Sequence, residues 1–455
     1  MLKLTNTLTG EKEEFKSITE GKVGMYNCGP TVYDYVHIGN LRAFVLADTL
    51  RRTFEFNGYA VQQVINITDI GHLASDADEG EDKMTKGLLR EGKPLTLDAM
   101  KELADFYADR FKENLGELNI HLPEVMPKAS EHIQEDIDFI KTLEKKDIVY
   151  KTSDGVYFDT SKDEDYGKLG GISSDDSHAR VESTTEKRNF KDFALWKLNP
   201  ALGFESPWGK GFPGWHIECS AMSEKYLGQN FDIHTGGMDL ASIHHNNEIA
   251  QSEYAHDKPF VNYWLHNAFV NIEGGKMAKS QGNFIRLQTI IDKNISPLAY
   301  KYWLLTAHYR TPVTFSWDAL EGAGNGYIRL IHLVSSLPEG GNMDENYLAL
   351  FKGFINDDLD TAKAIALMWE LTKDDEISNA DKKATILKFD TVLGLGLNNI
   401  RKTEIPEEVQ KLLILRDDSR KNKDFIKSDE LRDEIKKLGF EVKDTQEGQK
   451  LIPIK

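Results

Sequence analysis

Two short segments and four scattered side chains hold the reactive chemistry of this 455-residue sequence. The first segment, CGPTVYDYVHIGNLRAFVLADTLRR over residues 28–52, places His37, Gly39 and Asn40 at the start of an apolar-periodic stretch. A helix beginning there turns free backbone N–H groups and the positive end of its dipole toward an anion. Gly39 permits close approach of a phosphate, and His37 and Asn40 can donate hydrogen bonds to its oxygens. Alone, the same four letters equally describe a capped helix with a surface histidine. The second segment, GGKMAKSQGN at 274–283, brackets Lys276 and Lys279 with glycines about 240 residues further on. Mobile ammonium groups that meet a departing pyrophosphate lower the barrier to attack on an α-phosphate. By itself a KxxK loop is more commonly a solvated charge run. Cys28, Cys219, His244 and Glu248 complete the inventory: two thiols, an imidazole and a carboxylate make a zinc site by type. His244 and Glu248 are four apart and share one face of a helix. The long-range spacing is not diagnostic, since lone cysteines are usually inert core residues.

These side chains need a frame, and the pattern supplies one. KVGMYNC at 22–28 reads as a strand, Thr31–Asn40 as a loop and Leu41 to about Asn57 as a helix. AVQQVINI at 60–67 gives a second strand, followed by helical spacing of Leu103, Phe106, Tyr107, Phe111 and Leu115. Between 121 and 210 the pattern changes to short strands and turns, and strand and helix signals resume with FDIHTGG, a helix around His244–His256 and FVNYWLHNAFV. The expected fold is α/β: a doubly wound parallel-sheet, Rossmann-type domain of residues 1–120 and 211–270 with an insertion at 121–210. Residues 271–315 form the lysine loop and a connecting segment, 316–400 a helical bundle, and 401–455 a small α+β domain after the linker RKTEIPEE.

Composition narrows the class. With 40% hydrophobic and 29% charged residues the chain is globular, and no apolar run is long enough to span a bilayer. MLKLTNTLTG lacks a basic region followed by an apolar stretch, and two cysteines are too few for a disulfide framework, so a cytoplasmic location is expected. The net charge of −18 excludes a general attraction to nucleic acid. Residues 401–455 nevertheless carry 14 Lys and Arg against 13 Asp and Glu, a relatively basic tail.

The pair HIGN and KMAKS, in this order and each at its place in an α/β pattern, resembles the HIGH and KMSKS signatures of class I aminoacyl-tRNA synthetases. Asn40 stands where a second histidine is common and Ala278 where a serine is common; both leave the phosphate chemistry intact. The resemblance implies that His37 and Asn40 serve the adenylate-forming transition state and that Lys276 and Lys279 lie on a mobile loop closing over ATP. TGGMD resembles the family's glycine-rich turn, with Gly237 in the turn and Asp239 meeting the adenosine ribose. Cys28, Cys219, His244 and Glu248 match the ligand set of cysteinyl-tRNA synthetases, and PGWHIECSAM is close to a signature of that family. One Zn²⁺ per chain is implied, with room for the substrate thiolate and therefore selection of L-cysteine over serine. By the same resemblance Thr68 and Trp215 line the amino-acid pocket, and His245 is structural. The implied activity is cysteine–tRNA ligation with Mg²⁺ and ATP, in which cysteinyl-adenylate forms and is transferred to the 3′-terminal ribose of tRNA(Cys); a monomer is expected.

The likeness covers essentially the whole chain, including YGKL, ARVE, EKRN, DFALWK and SDELRDEIKKLGFEVKDT. It departs after NITD, where IGHLASDADEGEDKM brings an acidic segment readable as a solvated loop or as a lid, with a second metal at His72 and Asp76 or Asp78 still open. In the tail, Arg416, Arg420, Lys421, Lys423, Lys427 and Arg432 are spaced to form one basic helix face, or a solvated helix among their acidic neighbours. The implied role of the bundle and tail is binding the tRNA body and anticodon loop. Two rivals stand: a cysteine-activating ligase of the mycothiol pathway, whose family lacks the full tail, and a non-catalytic tRNA-binding paralogue, to which only Asn40 and Ala278 lend support. HHNNE lacks the two histidines flanking a glutamate that a zinc hydrolase needs.

Overall fold

The computed structural model describes residues 1–71, 82–170, 186–272, 284–399, 406–445 and 448–453. A small antiparallel pair, β1 (Lys3–Thr5) and β2 (Lys12–Glu14), leads into β3 (Lys22–Asn27), helix α1 (Ile38–Phe56) and β4 (Ala60–Ile65). Helices α2 (Lys83–Arg90) and α3 (Leu97–Glu117) follow. The insertion contains α4 (Ile133–Lys145) and an antiparallel sheet of β5 (Val149–Lys151), β6 (Gly155–Phe158), β7 (Phe193–Leu198) and β8 (Gly211–Pro213) in sequential order. The chain then returns through α5 (Trp215–Leu227), β9 (Phe231–Gly237), a short turn of helix α6 (Met238–Leu240), α7 (Asn246–His256) and β10 (Val261–Asn267).

The central sheet has the order β10–β9–β3–β4, and every pair is parallel. From β3 the chain crosses over α1 to β4 on one side and later returns to β9 on the other. The strand order therefore reverses between β3 and β9, and ligands of such sheets bind beyond the C-terminal strand ends at this switch point. Cys28 follows β3 directly, and Gly237 ends β9. A buried polar ladder ties the three strands together: Gln63 Nε2 donates to Asn27 Oδ1 at 2.7 Å, and Asn27 Nδ2 donates to Thr235 Oγ1 at 2.5 Å. Helix α1 is buried along most of its length and is the central pillar.

Strand β11 (Val270–Ile272) pairs in parallel with β12 (Val313–Phe315), with α8 (Leu287–Ile291) and α9 (Pro297–Leu305) between them in sequence. Helices α10 (Trp317–Ser336), α11 (Glu345–Ile355), α12 (Thr361–Lys373) and α13 (Asn379–Leu393) make the bundle. In α10 the buried residues Leu320, Gly324, Tyr327, Leu330 and Val334 recur at helical spacing, and Phe351 stacks on Phe389 at 4.2 Å between α11 and α13. The tail folds as α14 (Glu407–Lys421), α15 (Phe425–Lys437) and the hairpin β13 (Phe440–Thr445) and β14 (Gly448–Pro453). Its own core is built from Val409, Ile435, Phe440 and Val442. No helix among the described residues is long and apolar enough to cross a membrane.

The structure differs from the sequence reading at four places. Helix α1 starts at Ile38 rather than Leu41, because His37 and Asn40 cap it reciprocally. The insertion adds α4, whose Ile137, Ile140 and Leu143 bury one face. The expected helix at His244–His256 is preceded by a π-helical turn over Ala241–His245. Arg416 is not part of a basic face: it is fully buried and clamps Asp444 at 2.9 and 3.1 Å and Gln449 at 2.6 Å, joining α14 to the hairpin. Residues 400–405, most of the expected linker, and His72, Asp76 and Asp78 lie outside the described residues.

Candidate active site and metal centre

A cleft of about 820 Å³ opens at the switch point, lined by Cys28, His37, Gly39, Asn40, Trp215, Cys219, Gly237, Asp239 and His244 among others. At the first turn of α1, His37 Nδ1 accepts from the Asn40 backbone N–H at 3.1 Å, and Asn40 Oδ1 accepts from His37 N–H at 3.3 Å. An accepting Nδ1 places the proton of the neutral ring on Nε2, the tautomer that can donate to a phosphate. The ring of Phe284 meets His37 edge-on at 5.2 Å, and Ile38 N–H donates to Ile285 O at 3.0 Å. The 273–283 segment, with Lys276 and Lys279, lies outside the described residues, but the chain emerging from it abuts the first turn of α1.

The donor cluster is built from four elements. The side-chain donors of Cys28, His244, His245 and Glu248 lie within 4.8 Å of one another. Cys28 Sγ is 3.3 Å from His245 Nε2 and 3.8 Å from Glu248 Oε1. His244 Nε2 is 2.9 Å from Glu248 Oε1 and 3.6 Å from Cys219 Sγ, which α5 brings in from the other side. A regular α-helix would splay consecutive residues about 100° apart. On the π turn His244 approaches Cys219 and His245 approaches Cys28, so His245 is inside the group, where the resemblance implies a structural residue only.

An outer layer orients these groups. His234 Nε2 lies 2.9 Å from Glu248 Oε2, His216 Nδ1 2.8 Å from His244 Nδ1, and His245 Nδ1 2.7 Å from His266 Nε2. Burial, reinforced by neighbouring histidines, holds His216 and His245 well below the usual imidazole range and His266 at about 3, so these rings are neutral. Burial alone would raise Glu248, but His234 and His244 outweigh it and hold the carboxyl at about 2. His244 moves the opposite way: burial opposes its charge, yet Glu248 and Cys219 raise it to about 10. The hydrogen bond from Cys28, with His244 alongside, outweighs burial at Cys219 and brings that thiol down to about 6. Two thiols, an imidazole and a carboxylate that converge in a buried pocket, with oriented partners behind them, fit a divalent cation of soft character.

Thr68 is buried and donates its hydroxyl to Glu218 Oε2 at 3.0 Å. Trp215 opens α5, and its ring centre stands 4.1 Å from that of His244. Sequence reasoning missed the histidine layer, and it missed Arg42, which from α1 donates to four backbone carbonyls of the segments around β11. The one available signal was an arginine set within the apolar run LRAFVLA of the first helix.

Residues 14–325 match the family described as tRNA synthetases class I (C) catalytic domain, and residues 402–450 match the Cysteinyl-tRNA ligase anticodon binding domain. Cysteine–tRNA ligase 1 of Burkholderia lata is 46% identical over 460 residues, covering 99% of this chain and 97% of that protein. The cysteine–tRNA ligase of Treponema denticola is 43% identical over 485 residues, covering 97% and 98%. Among solved structures, Mycobacterium tuberculosis methionyl-tRNA synthetase in complex with methionyl-adenylate shares the fold, with a TM-score of 0.57 at 15% identity over 86% of this chain and 94% of that one. With a catalytic match over most of its length, a matching tail and relatives aligned nearly end to end, the chain belongs to the cysteinyl-tRNA synthetase family of class I tRNA synthetases.

Proposed function

We propose that the chain is a cysteine–tRNA ligase that forms cysteinyl-adenylate from L-cysteine and ATP and transfers the cysteinyl group to the 3′-terminal ribose of tRNA(Cys). The observation that carries this reading is a single cleft lined both by the capped helix start of His37 and by thiol and imidazole donors of the cluster. In the first step a carboxylate oxygen of cysteine attacks the α-phosphate. The new O–P bond forms as the bridging bond to the β-phosphate breaks, and pyrophosphate leaves. His37 Nε2–H and the free N–H groups of α1 stabilise the phosphate oxygens. Lys276 and Lys279 are assigned to the departing pyrophosphate, and Asp239 beside Gly237 to the ribose. In the second step the ribose hydroxyl attacks the activated carbonyl and AMP departs.

A zinc ion held by Cys28, Cys219, His244 and Glu248 supplies, when bound, a soft Lewis-acid position that takes a thiolate and rejects the hydroxyl of serine. Trp215 and Thr68 border the amino-acid side, Mg²⁺ accompanies ATP, and the tail meets the tRNA. The working form is a cytoplasmic monomer. Cysteine-dependent exchange of labelled pyrophosphate into ATP tests the first step, and its absence in zinc-loaded protein would sink the reading. Charging of tRNA across all amino acids, with zinc assayed on the same sample, tests the second step and the choice of substrate.

A further inference from the structure

Helix α2 is docked against the loop that leads to His37. At Gly87 an added Cβ would come 3.0 Å from the Tyr33 carbonyl oxygen and 2.8 Å from Leu103 Cδ2, so only glycine lets the helix lie this close. Arg90 donates to the same Tyr33 carbonyl at 2.7 Å and pairs with Asp34 at 2.8 Å. At the start of the helix, Asp82 accepts from Thr85 N–H at 2.5 Å, and a Cβ at Gly71 would stand 2.3 Å from Asp82 Oδ2. Both ends of α2 are thus fixed. The docking places Lys83 and Lys86, one turn apart, on the wall of the active-site cleft, and among the described residues they are the only lysines or arginines lining it.

The two differ in position. Lys86 is exposed, whereas Lys83 is half-buried with its Nζ 5.0 Å from the centre of the Trp215 ring. Trp215 in turn lies against His244 of the donor cluster at 4.1 Å. The indole therefore touches both a restrained ammonium and the floor on which a substrate sulfur would sit. A cysteine whose thiol is at that floor directs its carboxylate outward, into a cleft that must also hold a triphosphate. Two anions brought together out of water need a cation beside them.

We propose that Lys83 binds the α-carboxylate of the substrate, holding one oxygen while the other is presented to the α-phosphate. This rests on the reading that cysteine is the substrate. An ammonium is suited to the task, because its three donors on a flexible stem can follow the carboxylate as it becomes the mixed-anhydride carbonyl of the adenylate.

The test compares L-cysteine with cysteamine, which keeps the thiol and amine but lacks the carboxylate, in equilibrium binding to the metal-loaded full-length protein. Wild type is expected to prefer cysteine. Lys83→Met is expected to weaken cysteine by about tenfold or more, as loss of a hydrogen bond to a charged group does, and to leave cysteamine unchanged. Lys83→Arg, which keeps the charge, is expected to restore part of the preference. A parallel loss of both ligands in Lys83→Met would mark a structural role and overturn the proposal, and so would an undiminished affinity for cysteine. Wild-type protein that binds neither ligand would overturn the substrate assignment itself, and this proposal with it.

Discussion

Replacing Arg42 with lysine probes the joint between the two segments proposed to meet the nucleotide. The guanidinium is buried and donates to the carbonyl oxygens of Ala268 at 2.9 Å, Phe269 at 2.8 Å, His308 at 3.2 Å and Thr311 at 2.7 Å. One side chain of α1 thereby gathers the turn before β11 and the loop before β12, the pair from which the 273–283 segment departs. Lysine keeps the charge, but its single nitrogen cannot reproduce a planar fork. Ala268 O, Phe269 O and His308 O also accept from Asn267 Nδ2, Val313 N–H and Thr311 N–H, so the carbonyl that depends most on the guanidinium is that of Thr311. A buried group left unsatisfied costs about 1–3 kcal/mol, and the variant is expected to lose about that much. Urea unfolding followed by tryptophan fluorescence measures the loss. Cysteine-dependent pyrophosphate exchange is expected to fall in kcat more than in KM for cysteine, because the donor cluster is untouched. A variant within about 0.5 kcal/mol of wild type with unchanged exchange would refute the assignment, since it would mean that the Thr311 carbonyl finds another partner without disturbing the loop.

Asp48 accepts from Arg52 Nε and Lys301 Nζ, both at 2.8 Å, and from His121 N–H at 3.0 Å. Burial works against its charge, but Lys301 and Arg52 prevail and lower its pKa, so it stabilises the fold above about pH 4, and that contribution is lost as pH falls through the folded-state value. Asp48→Asn is expected to cost about 3–5 kcal/mol at neutral pH, with the gap from wild type closing on acidification in urea titrations. Asp136 is the reverse case: neither oxygen has a hydrogen-bond partner among the described residues, and burial raises its pKa well above the usual range. The folded state keeps the proton that the unfolded chain releases, so wild type loses up to about 1.4 kcal/mol per pH unit from this group as pH rises above about 4. Asp136→Asn should raise Tm at pH 7 and give no gain at pH 4; an equal shift at both would contradict the reasoning. His234→Phe removes the partner that orients Glu248 and is expected to weaken metal binding about 10–100-fold in chelator competition. Undiminished affinity would mean that Glu248 needs no such support.

The sequence made the chemistry of the site more legible than its construction. Cys28, His37, Cys219, His244 and Glu248 stand out by type, and the parallel strands that deliver them follow from apolar runs at 22–28, 60–67 and 230–237. The histidine layer does not stand out. His216, His234 and His266 lie on three separate elements, and each looks like an ordinary polar residue until the sheet and α5 converge. Arg42 reads as a helix-surface arginine because its partners are backbone carbonyls, which have no sequence signal. Arg416 is illegible for a related reason: its neighbours suggest a solvated helix, while the residue that claims it, Asp444, is on a strand 28 positions later. Contacts between residues far apart in the chain depend on the finished fold, and periodicity cannot report them.

The close approach of Gly71 to Asp82 also bears on how this enzyme could be modified. The two ends of the 72–81 segment meet at the cap of α2, and both are anchored independently: Asp82 by its bond to Thr85 N–H, and the strand before Gly71 by its sheet. Position 71 is thus one that tolerates no side chain: even the methyl of an alanine there would press into the cap that sets the register of the helix carrying the cleft's lysines.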